Sequence, residues 1–123
     1  MDFGHYPNFR ASEFACKHCR EVRMSPDFMY RLQKLRDAYG KPMVISSGYR
    51  CPQHPVEAKK ATPGTHSMGI ACDVSVQGED AYRLLRLAFE HGFTGIGINQ
   101  KGSGRFIHLD IMTDAPRPNV WSY

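Results

Sequence analysis

Two histidines and one aspartate in this chain have side chains of the kinds that bind metal ions or transfer protons. His66 and Asp73 lie in "HSMGIACD", and His108 lies in the later segment "RFIHLDI". A catalytic zinc site needs three nitrogen, oxygen or sulfur ligands and one open position for water. Asp73 stands in an apolar run, where an unpaired carboxylate is costly to bury. A neutralising cation is one interpretation, and a hydrogen-bonded structural His–Asp pair is the other.

The predicted elements could bring these three residues to one point. The runs around Asp73 and His108 are short, apolar and bounded by turn residues, which is typical of buried strands. His66 is expected in the loop that enters the first of these strands. Since side chains alternate along a strand, His108 and Asp110 share one face. If the two strands pair, two imidazoles and a carboxylate can converge.

The wider pattern predicts an α+β fold in a single small domain, residues 1–123, with a largely antiparallel sheet of about four strands flanked by helices. The clearest helix begins at the N-cap Ser25 and Pro26 and stops at Gly40. The other predicted elements are a strand in "PMVISSGYR", a surface loop or short helix over 52–65, a helix in "GEDAYRLLRLAFEHG" and a strand in "GFTGIGIN". The tail "TDAPRPNVWSY" is expected to be irregular.

Composition and charge narrow the function classes. Hydrophobic residues make up 41% of the chain and charged residues 23%, as in ordinary globular proteins. No apolar run approaches the ~18 residues that span a bilayer, and the first residues lack the features of a secretory signal. We therefore expect a monomer without membrane insertion that is cytoplasmic as synthesised. The net charge of +4 favours anionic partners, but no basic–aromatic motif indicates nucleic acid.

Three ordered motifs resemble those of peptidase family M15, the zinc D-Ala-D-Ala carboxypeptidases and peptidoglycan endopeptidases, in the branch that includes phage lysins. They are "SSGYRCPQH" at 46–54, "HSMGIACD" at 66–73 and "FIHLD" at 106–110. The opening "FRASEFACKHC" is also similar to the family's N-terminal part, so the resemblance covers nearly the whole chain. It implies the fold shared by these peptidases and the hedgehog signalling domain.

The resemblance also implies roles for single residues. His66, Asp73 and His108 become the ligands of one catalytic Zn²⁺. Arg50 becomes the substrate clamp, since a guanidinium grips a carboxylate in bidentate fashion; a surface salt bridge is the alternative. Ser47 and His54 are further candidates for substrate binding, and their alternatives are shaping the turn for Ser47 and plain solvation for His54.

The general acid/base is where the chain departs from the family's pattern. Some relatives carry an acidic residue three positions before the last zinc ligand, where this chain has Arg105. Related metallopeptidases place a histidine two positions before it, where this chain has Phe106. We predict that Asp110 takes the role of the general acid/base in place of these residues. Asp110 and Arg50 are therefore the two catalytic candidates. The alternative role of Asp110 is a hydrogen bond to a ligand imidazole, and a base from a distant loop is a third interpretation.

The four cysteines are interpreted separately. Cys16 and Cys19 form "CKHC", the spacing of a metal half-site or a redox motif. A second, structural ion there, completed by Cys51 and Cys72, is an alternative, although a second C-x-x-C is missing. The preferred interpretation is free, mostly buried thiols, with Cys72 on the strand face opposite Asp73.

Together these observations predict a zinc-dependent metallopeptidase that hydrolyses a bond in the peptidoglycan stem peptide. D-Ala-D-Ala carboxypeptidase and L-Ala-D-Glu-type endopeptidase activities both stay open. The basic charge suits an anionic cell wall, reached after release from the cytoplasm, as for a phage or prophage lysin. The alternative is a non-catalytic zinc-containing wall- or protein-binding module of the same fold, because neither customary base is present.

Overall fold

Three helices and a five-stranded sheet make up the regular structure in a computed structural model that describes residues 1–62 and 64–123. A short 3₁₀ helix at Ala11–Phe14 comes first. The later elements are α1 (Pro26–Tyr39), β1 (Val44–Ser47), α2 (Pro55–Ala58), β2 (Ala71–Ser75), α3 (Gly78–Glu90), β3 (Gly95–Asn99), β4 (Phe106–Asp110) and β5 (Asn119–Ser122). The α+β class predicted from the sequence is confirmed.

The two long helices begin and end where the local sequence directs. Ser25 Oγ accepts a hydrogen bond from the Phe28 backbone N–H at 3.3 Å and so caps α1. Gly40 ends α1 in the left-handed conformation, with φ of 74°. The apolar stripes of α1 and α3 join one buried core cluster. Among the described residues, no helix is long and apolar enough to cross a membrane.

Alternation along the strands gives the sheet two different faces. The strand order is β1-β2-β4-β3-β5, and all neighbours are antiparallel except the parallel pair β3 and β5. Cys72, Val74 and Leu109 point into the core shared with the helices. Asp73 and His108 alternate with these residues and are direct cross-strand partners. The functional candidates therefore occupy the face that the helices do not cover.

Two segments differ from the sequence-based expectation or refine it. The tail was expected to be irregular, but Asn119–Ser122 form β5 beside β3, so the sheet has five strands rather than about four. Local patterning does not reveal this pairing, because Asn119 pairs with Gly95, which lies far from it in the chain. The segment 52–65 contains the single-turn helix α2, and its Pro63 lies outside the described residues.

Candidate metal centre

His66, Asp73 and His108 meet on the open face of the sheet. Each contributes one ligand atom, and these three atoms lie within 4.8 Å of one another. Asp73 Oδ1 is 3.3 Å from His66 Nε2 and 3.1 Å from His108 Nδ1. All three side chains are buried. The register of β2 and β4 places Asp73 opposite His108, and the turn before β2 brings in His66.

The outer nitrogen of each imidazole is already bonded to an oxygen. His66 Nδ1 lies 2.7 Å from the Gly48 carbonyl oxygen, which can only accept a hydrogen bond. His108 Nε2 lies 2.7 Å from Asp110 Oδ2. When each outer nitrogen donates its proton, the inner nitrogen presents a lone pair toward Asp73. Two lone pairs and a carboxylate oxygen then face one another, which is the donor set that a divalent cation such as zinc takes.

The pKa values of the buried groups follow from burial opposed by close partners. Burial acts to raise the pKa of Asp73, but hydrogen bonds from His108 and His66 hold it well below its ordinary value. Burial acts to lower the pKa of His108, whereas its contacts with Asp110 and Asp73 raise it overall. Both shifts favour positive charge between the two carboxylates, which a divalent cation would supply in place of imidazole protons.

Asp110 is fully buried, and both of its oxygens have partners. Arg117 binds it in bidentate fashion, with Nε 3.1 Å from Oδ1 and Nη2 2.8 Å from Oδ2. Burial acts to raise the pKa of Asp110, but His108 and Arg117 lower it to about 2. Gly95 lies opposite, where an added Cβ would come 2.2 Å from Oδ1, so glycine makes room for the carboxylate. Sequence reasoning missed both Arg117 and Gly95.

An aromatic wall borders the His108 side of the centre. The Trp121 ring lies 5.2 Å from the His108 ring between centroids, and the Arg117 guanidinium stacks 4.8 Å from the Trp121 ring. Tyr123 packs against Phe106 at 5.0 Å. This aromatic wall was not predicted, because the tail that contributes Trp121 and Tyr123 was expected to be irregular. The alternating glycines of "GFTGIGIN" are the signal that could have found it, since they leave space on one face of β3.

Arg50 and a buried glutamate border the His66 side. Arg50 Nη1 lies 3.4 Å from Glu57 Oε2, and Nη2 lies 3.6 Å from Asp73 Oδ2. The Glu57 carboxylate also accepts hydrogen bonds from the Gly64 backbone, Lys60 and Ser67. Burial acts to raise the pKa of Glu57, but these partners lower it to about 2. Glu57 was not predicted as a site residue. The i,i+3 spacing between Glu57 and Lys60 was the signal in the sequence that could have indicated it.

A cleft of about 500 Å³ opens beside the three candidate ligands. Its described lining residues are Arg50, Val56, Lys60, Gly64, Thr65, His66, Met68, Asp73, Phe106, His108, Met112, Arg117, Trp121 and Tyr123. Among them, Asp73 is the only carboxylate and the three cations Arg50, Lys60 and Arg117 outnumber it. Lys60 and Arg117 are already paired with the buried carboxylates of Glu57 and Asp110, so Arg50, with its longer contacts, is the cation that the cleft offers to an anionic group beside apolar surface.

Three residues considered from the sequence lie away from this lining. Ser47 pairs with Asp73 across β1 and β2 through its backbone. His54 caps α2, its Nδ1 accepting a hydrogen bond from the Val56 N–H at 3.1 Å. Arg105 borders a separate depression near Lys41, and its Nε donates to the Gly102 carbonyl. The acidic position that some relatives use is therefore turned away from the metal centre in this chain.

Comparison with known families agrees with this geometry. Residues 7–110 match the family described as Peptidase M15, and the chain belongs to this family. No curated protein gives a match to the chain. The family membership and the His66–Asp73–His108 cluster together support a metallopeptidase-type function.

Proposed function

We propose that this protein is a zinc-dependent metallopeptidase that hydrolyses a peptide bond in the peptidoglycan stem peptide through a metal-activated water. The observation that carries the proposal is the orientation of the two imidazoles. Gly48 and Asp110 take their outer nitrogens, so both inner nitrogens point at Asp73 Oδ1 beside an open cleft. A triad of donors with free space beside it is the arrangement of catalytic rather than structural zinc sites.

The three ligand residues would hold the ion, which when bound supplies Lewis acidity and a water of lowered pKa. The chain's own contribution is to fix the ligands. The Gly48 carbonyl holds His66 in one tautomer, and Asp110 does the same for His108 while raising its basicity. Because Asp110 is fully buried and already paired with Arg117, we assign it to positioning His108 rather than to proton transfer with substrate.

Arg50 is the proposed anchor for a free carboxylate of the stem peptide. Its contacts with Glu57 and Asp73, at 3.4 and 3.6 Å, are longer than the ~2.8 Å of a direct charge-assisted hydrogen bond. The guanidinium therefore keeps donors for a ligand while its neighbours hold its position. Lys60 and Arg117 line the same cleft, but each is already paired with a buried carboxylate, Glu57 or Asp110.

The opposite wall suits the uncharged part of a short peptide. Phe106, Trp121 and Tyr123 present ring surface to the cleft, and Met68 and Met112 line it as well. Small methyl side chains such as those of alanine would pack on such surface. Ser47 and His54 lie outside the lining residues, so we assign them to shaping the loop around Arg50.

A second candidate function is favoured by one observation. Asp73 is the only carboxylate among the described residues that line the cleft, so a general base is not evident beside the candidate ligands. A zinc-containing module that binds the wall or a protein without cutting it would need no such base. Both functions require the same metal centre and differ only in turnover.

The test is mass spectrometry of purified peptidoglycan after incubation with zinc-loaded protein, using walls from Gram-negative and Gram-positive bacteria. His108→Ala is the inactive comparison, and Asp114→Asn, at an exposed carboxylate, is the matched control that should behave as wild type. Loss of a terminal D-alanine would identify a carboxypeptidase, and separation of L-Ala from D-Glu an endopeptidase.

Two other results would contradict peptidase activity. Stoichiometric zinc and wall retention without fragments would identify the binding module. A wild-type protein that takes up no metal through His66 and Asp73 would overturn both candidate functions.

A further inference from the structure

Three cysteines from two separate turns bring their sulfur atoms together outside the cleft. The Sγ atoms of Cys16, Cys19 and Cys51 lie within 4.8 Å of one another. Cys16 and Cys51 are buried, whereas Cys19 is exposed. Cys72, which the sequence offered as a further ligand, instead lies in the core. None of the cysteines is among the described residues that line the cleft.

The first turn is shaped to present two sulfurs on one side. The Cys16 carbonyl accepts a hydrogen bond from the Arg20 N–H at 2.7 Å, and the Cys16 N–H donates to the Glu21 carbonyl at 2.8 Å. Arg20 has φ of 69° and is the one non-glycine residue at positive φ in the described chain. Such a conformation is uncommon for arginine, so the tight closure around "CKHC" is maintained by the surrounding structure.

The second turn brings the third sulfur and stabilises the first as a thiolate. The Cys51 N–H donates to Cys16 Sγ at 3.3 Å, and the Cys51 carbonyl accepts from the His54 N–H at 3.0 Å. Backbone N–H groups aimed at a sulfur favour its charged form.

Three sulfurs fit a metal better than a redox pair. A disulfide would use two of the three thiols and leave the third free. A tetrahedral zinc site can use all three as thiolates, with one imidazole as the fourth ligand. The residues follow C-x-x-C at 16–19 and C-x-x-H at 51–54. His18 stands between the two cysteines of the first motif, and its ring centroid is 6.3 Å from that of His54 in the second.

We propose that Cys16, Cys19 and Cys51 bind a second, structural zinc ion, with His18 as the fourth ligand, because His54 Nδ1 already accepts the Val56 N–H and its other nitrogen therefore carries the proton. The ion ties the N-terminal turn to the loop that carries Arg50, next to Cys51. The same junction has two further links, from the Tyr49 N–H to the Phe14 carbonyl at 2.9 Å and from Lys17 Nζ to the Ser46 carbonyl at 2.7 Å. The site thereby holds the Arg50 loop against the sheet.

The test is metal content and cobalt spectroscopy on the full chain, purified under reducing conditions. Wild type should bind about two zinc ions per chain, and its cobalt form should show a thiolate-to-cobalt charge-transfer band. His108→Ala should keep the band and about one ion. Cys19→Ser, at the exposed cysteine, should lose the band and keep the other ion. Cys72→Ala is the matched control and should keep both ions.

The failures are distinguishable from those of the cleft site. A wild-type cobalt form without the band, or a Cys16–Cys51 disulfide that zinc does not prevent, would overturn the second site whatever His108→Ala shows. A protein that binds no ion in the cleft but keeps the charge-transfer band would still support the cysteine site. His18→Ala should weaken cobalt binding, whereas His54→Ala should leave it near that of wild type. Unchanged cobalt binding in His18→Ala would rule out His18 as the fourth ligand.

Discussion

The two histidines of the metal centre are supported in different ways by the two parts of the chain that flank them. On the loop flank (residues 46–67), His66 is held by a neutral backbone carbonyl, that of Gly48. On the strand flank (residues 95–123), His108 is held by a buried carboxylate, Asp110, which in turn is paired with Arg117. The orientation of His66 thus depends on a hydrogen bond to the backbone, whereas that of His108 depends on the buried ion pair of Asp110 and Arg117.

The difference determines which substitutions each flank tolerates. Most side-chain substitutions leave a backbone carbonyl in place. On the loop flank we therefore expect a large loss of stability mainly from substitution of Glu57, whose hydrogen bonds to Gly64 and Ser67 hold the loop in shape. A buried ionised pair is costly when one partner is removed, because the other charge is left uncompensated. The strand flank should therefore respond to the charge of Asp110 itself.

The largest expected effect is on stability, from Glu57→Gln on the loop flank. The pKa of Glu57 falls from its ordinary 4.5 to about 2 in the folded protein. This shift corresponds to about 3 kcal/mol of folding free energy at neutral pH. A lowered pKa gives stability that is present above pH ~4.5 and is lost as the pH falls toward 2. Urea unfolding at pH 7 should show the loss in the variant.

The pH series and a matched control sharpen this prediction. The difference in unfolding free energy between wild type and Glu57→Gln should shrink between pH 5 and pH 3. Glu90→Gln, in an exposed pair with Arg86 at 3.3 Å, should change stability by less than ~0.5 kcal/mol. A difference that stays constant with pH would show that packing, rather than the charge of Glu57, holds the loop.

Asp110→Asn should have the next largest effect, on metal affinity. The amide cannot accept the His108 Nε2–H and bind Arg117 with the same charge, so zinc affinity and hydrolysis should fall about ten- to hundredfold. Chelator competition measures the affinity. Asp114→Asn should match wild type. An unchanged affinity for Asp110→Asn would mean that the two flanks support their histidines equally, through geometry alone.

Both flanks were predicted only in part from the sequence. Arg50 and His66 were assigned from motifs that resemble those of the family, and both line the cleft, whereas Glu57 on the same flank was missed. Alternation placed His108 and Asp110 on one face correctly. Arg117 and Trp121 were missed because they reach the centre through the pairing of β5 with β3, a non-local contact that local propensity does not reveal.

Arg50→Lys should have a smaller effect, limited to substrate binding. Lysine keeps the charge but loses the planar fork that binds a carboxylate with two hydrogen bonds. We expect KM to rise about tenfold and kcat to change little for a stem peptide with a free terminal carboxylate. An amidated form of the same peptide is the control, and the two proteins should process it alike. An equal rise on the amidated peptide would remove Arg50 as the carboxylate anchor.

The smallest expected effect comes from Arg105→Glu, which places an acid where some family members have one. The Arg105 side chain lies beside Lys41 and bonds to the Gly102 carbonyl, away from the cleft. A glutamate there should not reach the metal centre, so hydrolysis and zinc content should stay within about twofold of wild type. Lys101→Glu, an exposed change of equal charge on the neighbouring turn, controls for weaker attraction to an anionic wall. If Arg105→Glu alone raised hydrolysis, the strand flank would have to expose position 105 to the cleft during turnover. The reason that no general base is evident would then be the arginine at position 105, and the lack of a base would no longer favour a binding module.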